Sequence, residues 1–292
     1  MVIVMDSSIA LVSIIISTYN NPDMLHLVLL ALTKQTNKNF EVIIADDGSD
    51  ESTKTLIDST KTKLNYNITY VWQPHNGFRA AAIRNKSALV AQGDYLIFLD
   101  GDCVPLTSFV ARHQELAQAG YFVSGNRILL AQNFTKQILQ SSTPVYQWNI
   151  WQWILAFYAK KINRFTSLFY IKTLYARYKY CYKWQGAKTC NLAMWKQDFL
   201  AINGFDESYV GWGYEDSDLV VRLIRNKVLR KDGRFALAVM HLWHPENCRD
   251  NALINYNKFQ NLLKKDTLST VIPDLSSRGA VRGATTRREL LH

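Results

Sequence analysis

Asp100 and Asp102 flank a single glycine directly after the apolar run Tyr95-Leu96-Ile97-Phe98-Leu99. Two carboxylates so spaced at the end of a buried strand can hold a hard cation, because Mg²⁺ and Mn²⁺ bind through one or two carboxylates together with phosphate oxygens. Such an ion neutralises a diphosphate leaving group. The spacing alone is common by chance, and an aspartate after a strand is often only a helix N-cap, so the pair draws its meaning from its surroundings. A second acidic cluster, Asp46-Asp47-Gly48-Ser49, and a polar one, Ser17-Thr18-Tyr19-Asn20, also follow apolar runs. Further on, Glu215 and Asp216 open the helical pattern of Leu219, Val220, Leu223 and Ile224. The helix dipole stabilises carboxylates there, which is their ordinary structural explanation. His241 and His244 add two imidazoles within one short stretch; a histidine is more often structural than a ligand, but here a candidate metal site already exists.

The elements that must position these groups follow from periodicity. Segments 11–17, 40–45, 68–72 and 95–99 are short, apolar and β-branched, and read as strands. Between them, 24–35, 51–60 and 80–91 have helical spacing, the first opened by Asn21-Pro22-Asp23. Apolar strands alternating with helices predict an α/β protein whose parallel sheet is covered on both faces. Ligands of such sheets bind at the carboxyl ends of the strands. The three polar clusters all fall at those ends, so a parallel sheet brings them to one edge.

The formal net charge is +10, which favours anionic partners. It is concentrated in the middle: between Glu115 and Asp198 there is no Asp or Glu, against eleven Lys or Arg. Within this stretch Trp148, Trp151, Leu155, Tyr158, Ile162, Phe165 and Phe169 recur at spacings of three and four, predicting a helical stripe. Basic residues beside Trp and Phe fit either a helix in a membrane interface or a core helix with a solvated basic end, and both readings stand for 144–183. The uncharged run 137–159 is broken by polar residues and is no spanning helix. Four cysteines without a C-x-x-C pair require neither zinc nor disulfides, as expected of a reducing, cytoplasmic setting. The tail after Pro273 lacks apolar pattern and is expected to be disordered.

Taken in order, Val12-Ser13-Ile14-Ile15-Ile16-Ser17-Thr18-Tyr19-Asn20, Ile43-Ile44-Ala45-Asp46-Asp47-Gly48-Ser49, Arg84-Asn85 and Phe98-Leu99-Asp100-Gly101-Asp102 resemble glycosyltransferase family 2 of the GT-A fold. Gly204-Phe205-Asp206 through Gly211-Trp212-Gly213-Tyr214-Glu215-Asp216 resembles the acceptor half of β-1,4-galactosyltransferases and bacterial chondroitin-type polymerases. The resemblance covers roughly 10–250. It implies a Rossmann-like, mostly parallel sheet flanked by helices, here with a basic-aromatic helical insert. It implies that Thr18 and Tyr19 lie along the nucleotide base, that Asp47 accepts a hydrogen bond from it, and that Gly77 and Arg84 lie near the ribose and diphosphate. Asp100 would contact the ribose or a metal-bound water. Asp102 would ligate Mn²⁺ or Mg²⁺ together with His241, with His244 as the alternative ligand. Asp216 would be the general base, Glu215 would orient the acceptor, and Trp212 would stack on an acceptor sugar in a loop that Gly211 and Gly213 allow to move.

The expected protein is therefore an inverting, metal-dependent enzyme moving a hexose or N-acetylhexosamine from a UDP-sugar to a glycan or lipid-linked glycan, in bacterial surface polysaccharide or lipopolysaccharide synthesis. It would sit in the cytoplasm, peripheral on the inner face of the plasma membrane through 144–183. Its expected organisation is a nucleotide-sugar half at 10–130, the insert at 131–185, an acceptor and catalytic half at 186–268, and the tail at 269–292. A nucleotidyltransferase of similar fold would carry a glycine-rich loop after the first strand, where this chain has Ser17-Thr18-Tyr19-Asn20. A basic nucleic-acid-binding protein would leave the acidic strand ends unexplained, so no nucleic-acid partner is expected.

Overall fold

The computed structural model describes residues 9–245 and 249–265. Its first half alternates strand and helix: β1 (Val12–Thr18), α1 (Pro22–Thr33), β2 (Phe40–Asp46), α2 (Glu51–Lys61), β3 (Asn67–Trp72), α3 (Ala80–Val90) and β4 (Tyr95–Asp100). There follow β5 (Cys103–Pro105), α4 (Phe109–Leu116), β6 (Tyr121–Ser124), β7 (Asn126–Leu129), α5 (Gln132–Ser141) and α6 (Ile150–Tyr158). The last part holds β8 (Asn191–Trp195), α7 (Lys196–Ala201), α8 (Glu215–Arg225), β9 (Leu229–Asp232), β10 (Ala238–His241) and α9 (Ala252–Lys264).

Seven strands form the main sheet in the order β3-β2-β1-β4-β8-β6-β9. β1 to β4 run parallel, and β8 lies antiparallel between β4 and β6. Their apolar residues alternate strictly between two cores. Ile14, Ile16, Val42, Ile44, Ile97 and Leu99 pack with α1, α5 and α6, whereas Ile15, Ile43, Leu96 and Phe98 pack with α3, α7 and α8. Burial on both faces is why these strands read as unbroken apolar runs.

A second sheet, β5-β10-β7, caps the carboxyl end of β4. No helix among the described residues is long and apolar enough to cross a membrane. Asn191 ties the two sheets: its side chain bonds the Asn126 and Leu237 carbonyls and meets His113 Nε2 at 3.1 Å. Burial pushes His113 down to about 3, so it serves this junction as a neutral ring.

The expected helical stripe is corrected in extent and in orientation. The helix stops at Tyr158; Lys160 takes a left-handed φ of 53° and the chain turns back. Leu130 bridges Ile162, while Ala131 N donates to Lys161 O and Asn163 N to Leu129 O. Pairing with the end of β7 overrides the helical periodicity from that point. Within α6, Trp153 and Ala156 are buried in the same core as α1, while the stripe residues Trp151, Leu155 and Tyr158 face outward. The tail expected to be disordered and Cys248 lie outside the described residues.

Candidate active site

The three strand-end clusters converge. Gly101 N donates to Ser17 O at 2.8 Å, and Asp47 N to Thr18 O at 3.1 Å, so the ends of β1, β2 and β4 are stitched together. The two aspartates of Asp100-Gly101-Asp102 part company there. Asp100 still belongs to the main sheet and turns inward. Asp102 precedes β5, whose Cys103 pairs with His241 of β10, and Leu242 N donates to Asp102 O at 2.9 Å. The second sheet therefore sets Asp102 beside the two histidines.

Asp100 meets Arg84. This arginine, on α3, is 4% exposed. Its Nη2 lies 3.0 Å from Asp100 Oδ1, its Nη1 3.3 Å from Glu215 Oε1, and its Nε and Nη2 donate to Ser17 Oγ. The Phe205 ring lies against the guanidinium, 5.7 Å from centroid to Cζ. The buried guanidinium thus has carboxylate partners within the protein, at the strand end where the resemblance implies the ribose and diphosphate.

Asp102, His241 and His244 form the metal-type cluster, their donor atoms lying within 4.8 Å of one another. Asp102 Oδ2 is 3.0 Å from His244 Nε2 and Asp102 Oδ1 is 3.7 Å from His241 Nε2. Adjacent ligands with bonds of about 2.1 Å span about 3 Å, so this set fits one small divalent ion with modest adjustment. Its carboxylate suits Mn²⁺ or Mg²⁺, and two imidazoles tilt the preference toward a transition metal. Burial favours the protonated acid at Asp102, but the His244 hydrogen bond and the two imidazoles outweigh it, and its pKa is lowered. Burial, with Arg127 nearby, lowers His241, whereas the hydrogen bond to Asp102 raises His244 to about 9. A second cluster, Asp100 with Cys103 and Cys190, is a poorer candidate. Asp100 is already paired with Arg84, and burial keeps the Cys103 thiol protonated.

On the donor side Tyr19 is exposed and stacks on His75, with ring centroids 4.6 Å apart and planes 14° from parallel. Thr18 is buried. Asp47 already accepts from Gln73 Nε2 and from Arg79 N, both at 2.6 Å, and its carbonyl lies 3.3 Å from His75 Nδ1. It thus anchors the loop that carries His75 and Gly77. Sequence reasoning missed His75, because nothing in Gln73-Pro74-His75-Asn76 marks it until the loop is seen folded over the Asp46-Asp47-Gly48-Ser49 turn.

On the acceptor side Glu215 and Asp216 occupy the first turn of α8. A buried ion pair, Asp218 with Arg222 at 2.6 Å, secures this helix, and Arg222 also bonds the Ile202 and Gly204 carbonyls. Burial, then the neighbouring Asp216, raises Glu215 to about 7 despite Arg84. Burial also raises Asp216, against the pull of Lys188 and Arg84. Lys188, also missed, acts on Asp216 through its charge from a loop remote in sequence, without a direct ion pair. Trp212 is partly exposed, with the Arg249 guanidinium 4.8 Å from its ring centroid.

The glycines beside Trp212 meet a steric and conformational demand. Gly211 and Gly213 have φ of 81° and 107°, where other residues are strained. A Cβ on Gly211 would come within 2.8 Å of Asn251 Cβ. The loop is pinned by Gly211 N to Phe78 O at 2.8 Å and by Asn251 and Asn255 to Val210 O. The Phe78 contact ties it to the Gly77 loop of the donor side.

Residues 13–177 match the glycosyl transferase family 2 domain. The chain belongs to that family. Residues 171–236 also match the domain described as the N-terminal domain of galactosyltransferase. This family member is 29% identical over 235 residues to validoxylamine A glucosyltransferase of Streptomyces hygroscopicus subsp. jinggangensis, covering 74% of this chain and 52% of that one. It is 28% identical over 236 residues to the Escherichia coli chondroitin synthase, covering 73% of this chain and 32% of that one. The chain thus spans about half the length of the first relative, and less of the second. Among solved structures, the fold matches a Pyrobaculum calidifontis mannosyltransferase in complex with GDP-Man and Mn²⁺, at TM-score 0.61 and 15% identity over 95% of this chain and 71% of that one. It also matches S. aureus TarS 1-349 in complex with UDP, at TM-score 0.55 and 14% identity over 91% of this chain and 68% of that one. The architecture is that of GT-A glycosyltransferases.

Two measurements test this geometry. His244, held near 9, is protonated at pH 7.5 without metal, and it must lose that proton to ligate through Nε2. His241, already lowered, has none to lose. Mn²⁺ binding at pH 7.5 is expected to release close to one proton and to tighten as pH rises, read from calorimetry in buffers of different ionisation enthalpy. Heats that do not depend on the buffer would remove His244 from the ligand set. Arg84→Met should cost about 3 kcal/mol in urea unfolding, because it leaves the buried Glu215 and the half-buried Asp100 without their shared cation. A loss within about 0.5 kcal/mol, the range of ordinary surface changes, would show that the guanidinium is not the tie between them.

Proposed function

We propose that this chain moves a hexose or N-acetylhexosamine from a UDP-sugar to a hydroxyl of a glycan or lipid-linked glycan acceptor, inverting the anomeric centre. The observation that carries the reading is the Arg84 bridge. It holds Asp100 and Glu215 on one guanidinium, so that the carboxylates opening α8 face the strand end from which Asp102, His241 and His244 project. A donor-side metal cluster opposite a single acceptor-side base is what a one-step displacement needs.

In this reading Tyr19 and His75 offer a face for the uracil ring, and Asp47 holds the loop that carries His75. Asp102, His241 and His244 would hold the divalent ion, and the two imidazoles would favour Mn²⁺ over Mg²⁺. The ion, when bound, supplies Lewis-acid stabilisation of the diphosphate oxygens. Trp212 gives the acceptor sugar a stacking face, and Glu215, fixed by Arg84, orients it. Asp216 takes the proton of the acceptor hydroxyl. The acceptor oxygen then forms its bond to the anomeric carbon while the bond to the diphosphate oxygen breaks, and the electron pair leaves with the nucleoside diphosphate. No nucleophilic carboxylate is needed, so one inversion results. Arg84 acts by positioning, not by touching phosphate. UDP in the TarS and GalNAc-T7 complexes is in keeping with this choice, whereas the mannosyltransferase neighbour holds GDP-Man, so the nucleotide is what titration must decide. The chondroitin synthase of Escherichia coli and the hyaluronan synthase of Pasteurella multocida, 43% identical over 94 residues covering 32% of this chain and 10% of that one, support a role in surface polysaccharide synthesis.

Asp216→Asn is expected to lower transfer or donor hydrolysis by about 10²–10⁴-fold with UDP affinity unchanged, measured as UDP release and by calorimetry. Parallel loss of UDP binding would sink the base assignment. Because burial raises Asp216 and the base works only when ionised, kcat/KM should rise with pH along an acidic limb above the ordinary carboxylate range. A profile flat from pH 4 upward would contradict it.

A further inference from the structure

Helix α6 turns a stripe of large apolar residues away from the protein. Trp151, Leu155 and Tyr158, spaced four and three apart on one face, are 71%, 69% and 75% exposed. The helix does not lie loosely. Asn149 and Gln152 close a capping box at its start, and on the inner face the buried Trp153 packs on Trp148 with ring centroids 5.0 Å apart. The inner face therefore accounts for the helix, and the outer stripe is left largely to solvent. Three large apolar side chains held outward on a rigid helix are the mark of a surface that meets something apolar.

Two neighbouring features say what. An open groove of about 520 Å³ runs along the end of the helix, lined by Leu129, Leu130, Phe157, Tyr158 and Ile162, with Lys160 at its rim. Lys160 lines it, Arg164 follows its lining residue Asn163, and both are exposed, as is Lys136 on α5. No acidic residue occurs anywhere between Glu115 and Asp198 to balance them. Trp and Tyr beside an apolar stripe, in a stretch of chain that carries cations and no acidic residue, match the interface of an anionic bilayer, where aromatic rings sit at headgroup depth and lysines meet lipid phosphates.

The groove also borders the active site. Leu129 pairs in register with His241, and Leu130 N donates to His241 O at 3.0 Å. The strand forming the groove wall thus lies directly beside the strand that carries a metal-type ligand.

We propose that the outer face of α6, with the Leu129–Ile162 groove and its basic rim, docks this protein on an anionic membrane surface. Docking there sets the active-site mouth beside the bilayer, where a lipid-linked acceptor would present its sugar. That last consequence rests on the transferase reading; the docking itself does not.

The test is flotation of the full chain with vesicles of phosphatidylcholine alone and of phosphatidylcholine with 30 mol% phosphatidylglycerol, an amount on the order of the anionic content that recruits basic segments. Binding is expected with the anionic vesicles only, weakening as salt rises. The combined Trp151→Ser, Leu155→Ser and Tyr158→Ser variant should bind at least about tenfold more weakly, and so should Lys136→Gln, Lys160→Gln and Arg164→Gln together. Both variants should keep UDP affinity, which separates failure of docking from failure of the transferase reading. Absence of flotation at low salt overturns the proposal, as does flotation that neither variant weakens. Sedimentation velocity covers the rival occupant: a dimer of the wild type that the serine variant dissociates would assign the face to a second copy of the chain and overturn membrane docking.

Discussion

A guanidinium buried between two carboxylates fixes the working geometry of this protein. Arg84 leaves α3 in the first half of the chain and reaches Asp100 at the end of β4 and Glu215 at the start of α8. A buried cation is tolerable only when paired and hydrogen-bonded, and breaking such a pairing is costly. The partners are 16 and 131 residues away in sequence, so the arginine joins segments that the chain itself does not. Ser17 Oγ completes the shell by bonding both Arg84 and Asp100. The Phe78–Gly211 backbone bond adds a second tie between donor and acceptor sides.

This constraint also explains the unequal fate of Asp100 and Asp102. One glycine separates them, yet Asp100 ends the large sheet and neutralises Arg84, whereas Asp102 opens onto the small sheet and its histidines. Without the partner that Arg84 gives Asp100, a carboxylate would stand uncompensated at the sheet end. Without the β5–β10 pairing, Asp102 would have no imidazole within reach. The same division lets His241 stay neutral while His244 holds a proton against Asp102. The cluster is thus charge-balanced by a proton that a cation can displace.

The strands and helices before Asp100 were legible because each strand is buried on both faces and each helix is long enough to show its period. Predicted and observed limits there differ by at most two residues at either end. Convergence of Ser17, Asp46-Asp47 and Asp100 followed from parallel strands alone. The small sheet was not legible: β5, β7 and β10 have three or four residues each, too few for a pattern, and they pair across large separations. The helix stripe failed at Tyr158 because a tertiary pairing of Leu130 with Ile162 outweighed local spacing. Asp102, His241 and His244 were nameable from the resemblance, and the structure brings all three together. Arg84 was nameable too, but its role was not, since its partners became visible only in three dimensions. His75 and Lys188 carry no signature of their own.

In the proposed transferase a metal held by Asp102 and the two histidines binds a nucleoside diphosphate at the carboxyl ends of β1, β2 and β4. Calorimetric titration of UDP, GDP, CDP and dTDP with and without Mn²⁺, on the wild type and on Asp102→Ala, measures this. Mn²⁺-dependent binding that prefers UDP and is lost in Asp102→Ala is the expected result. Nucleotide binding that ignores both the metal and Asp102, or no binding of any nucleotide with Mn²⁺ present, would contradict it.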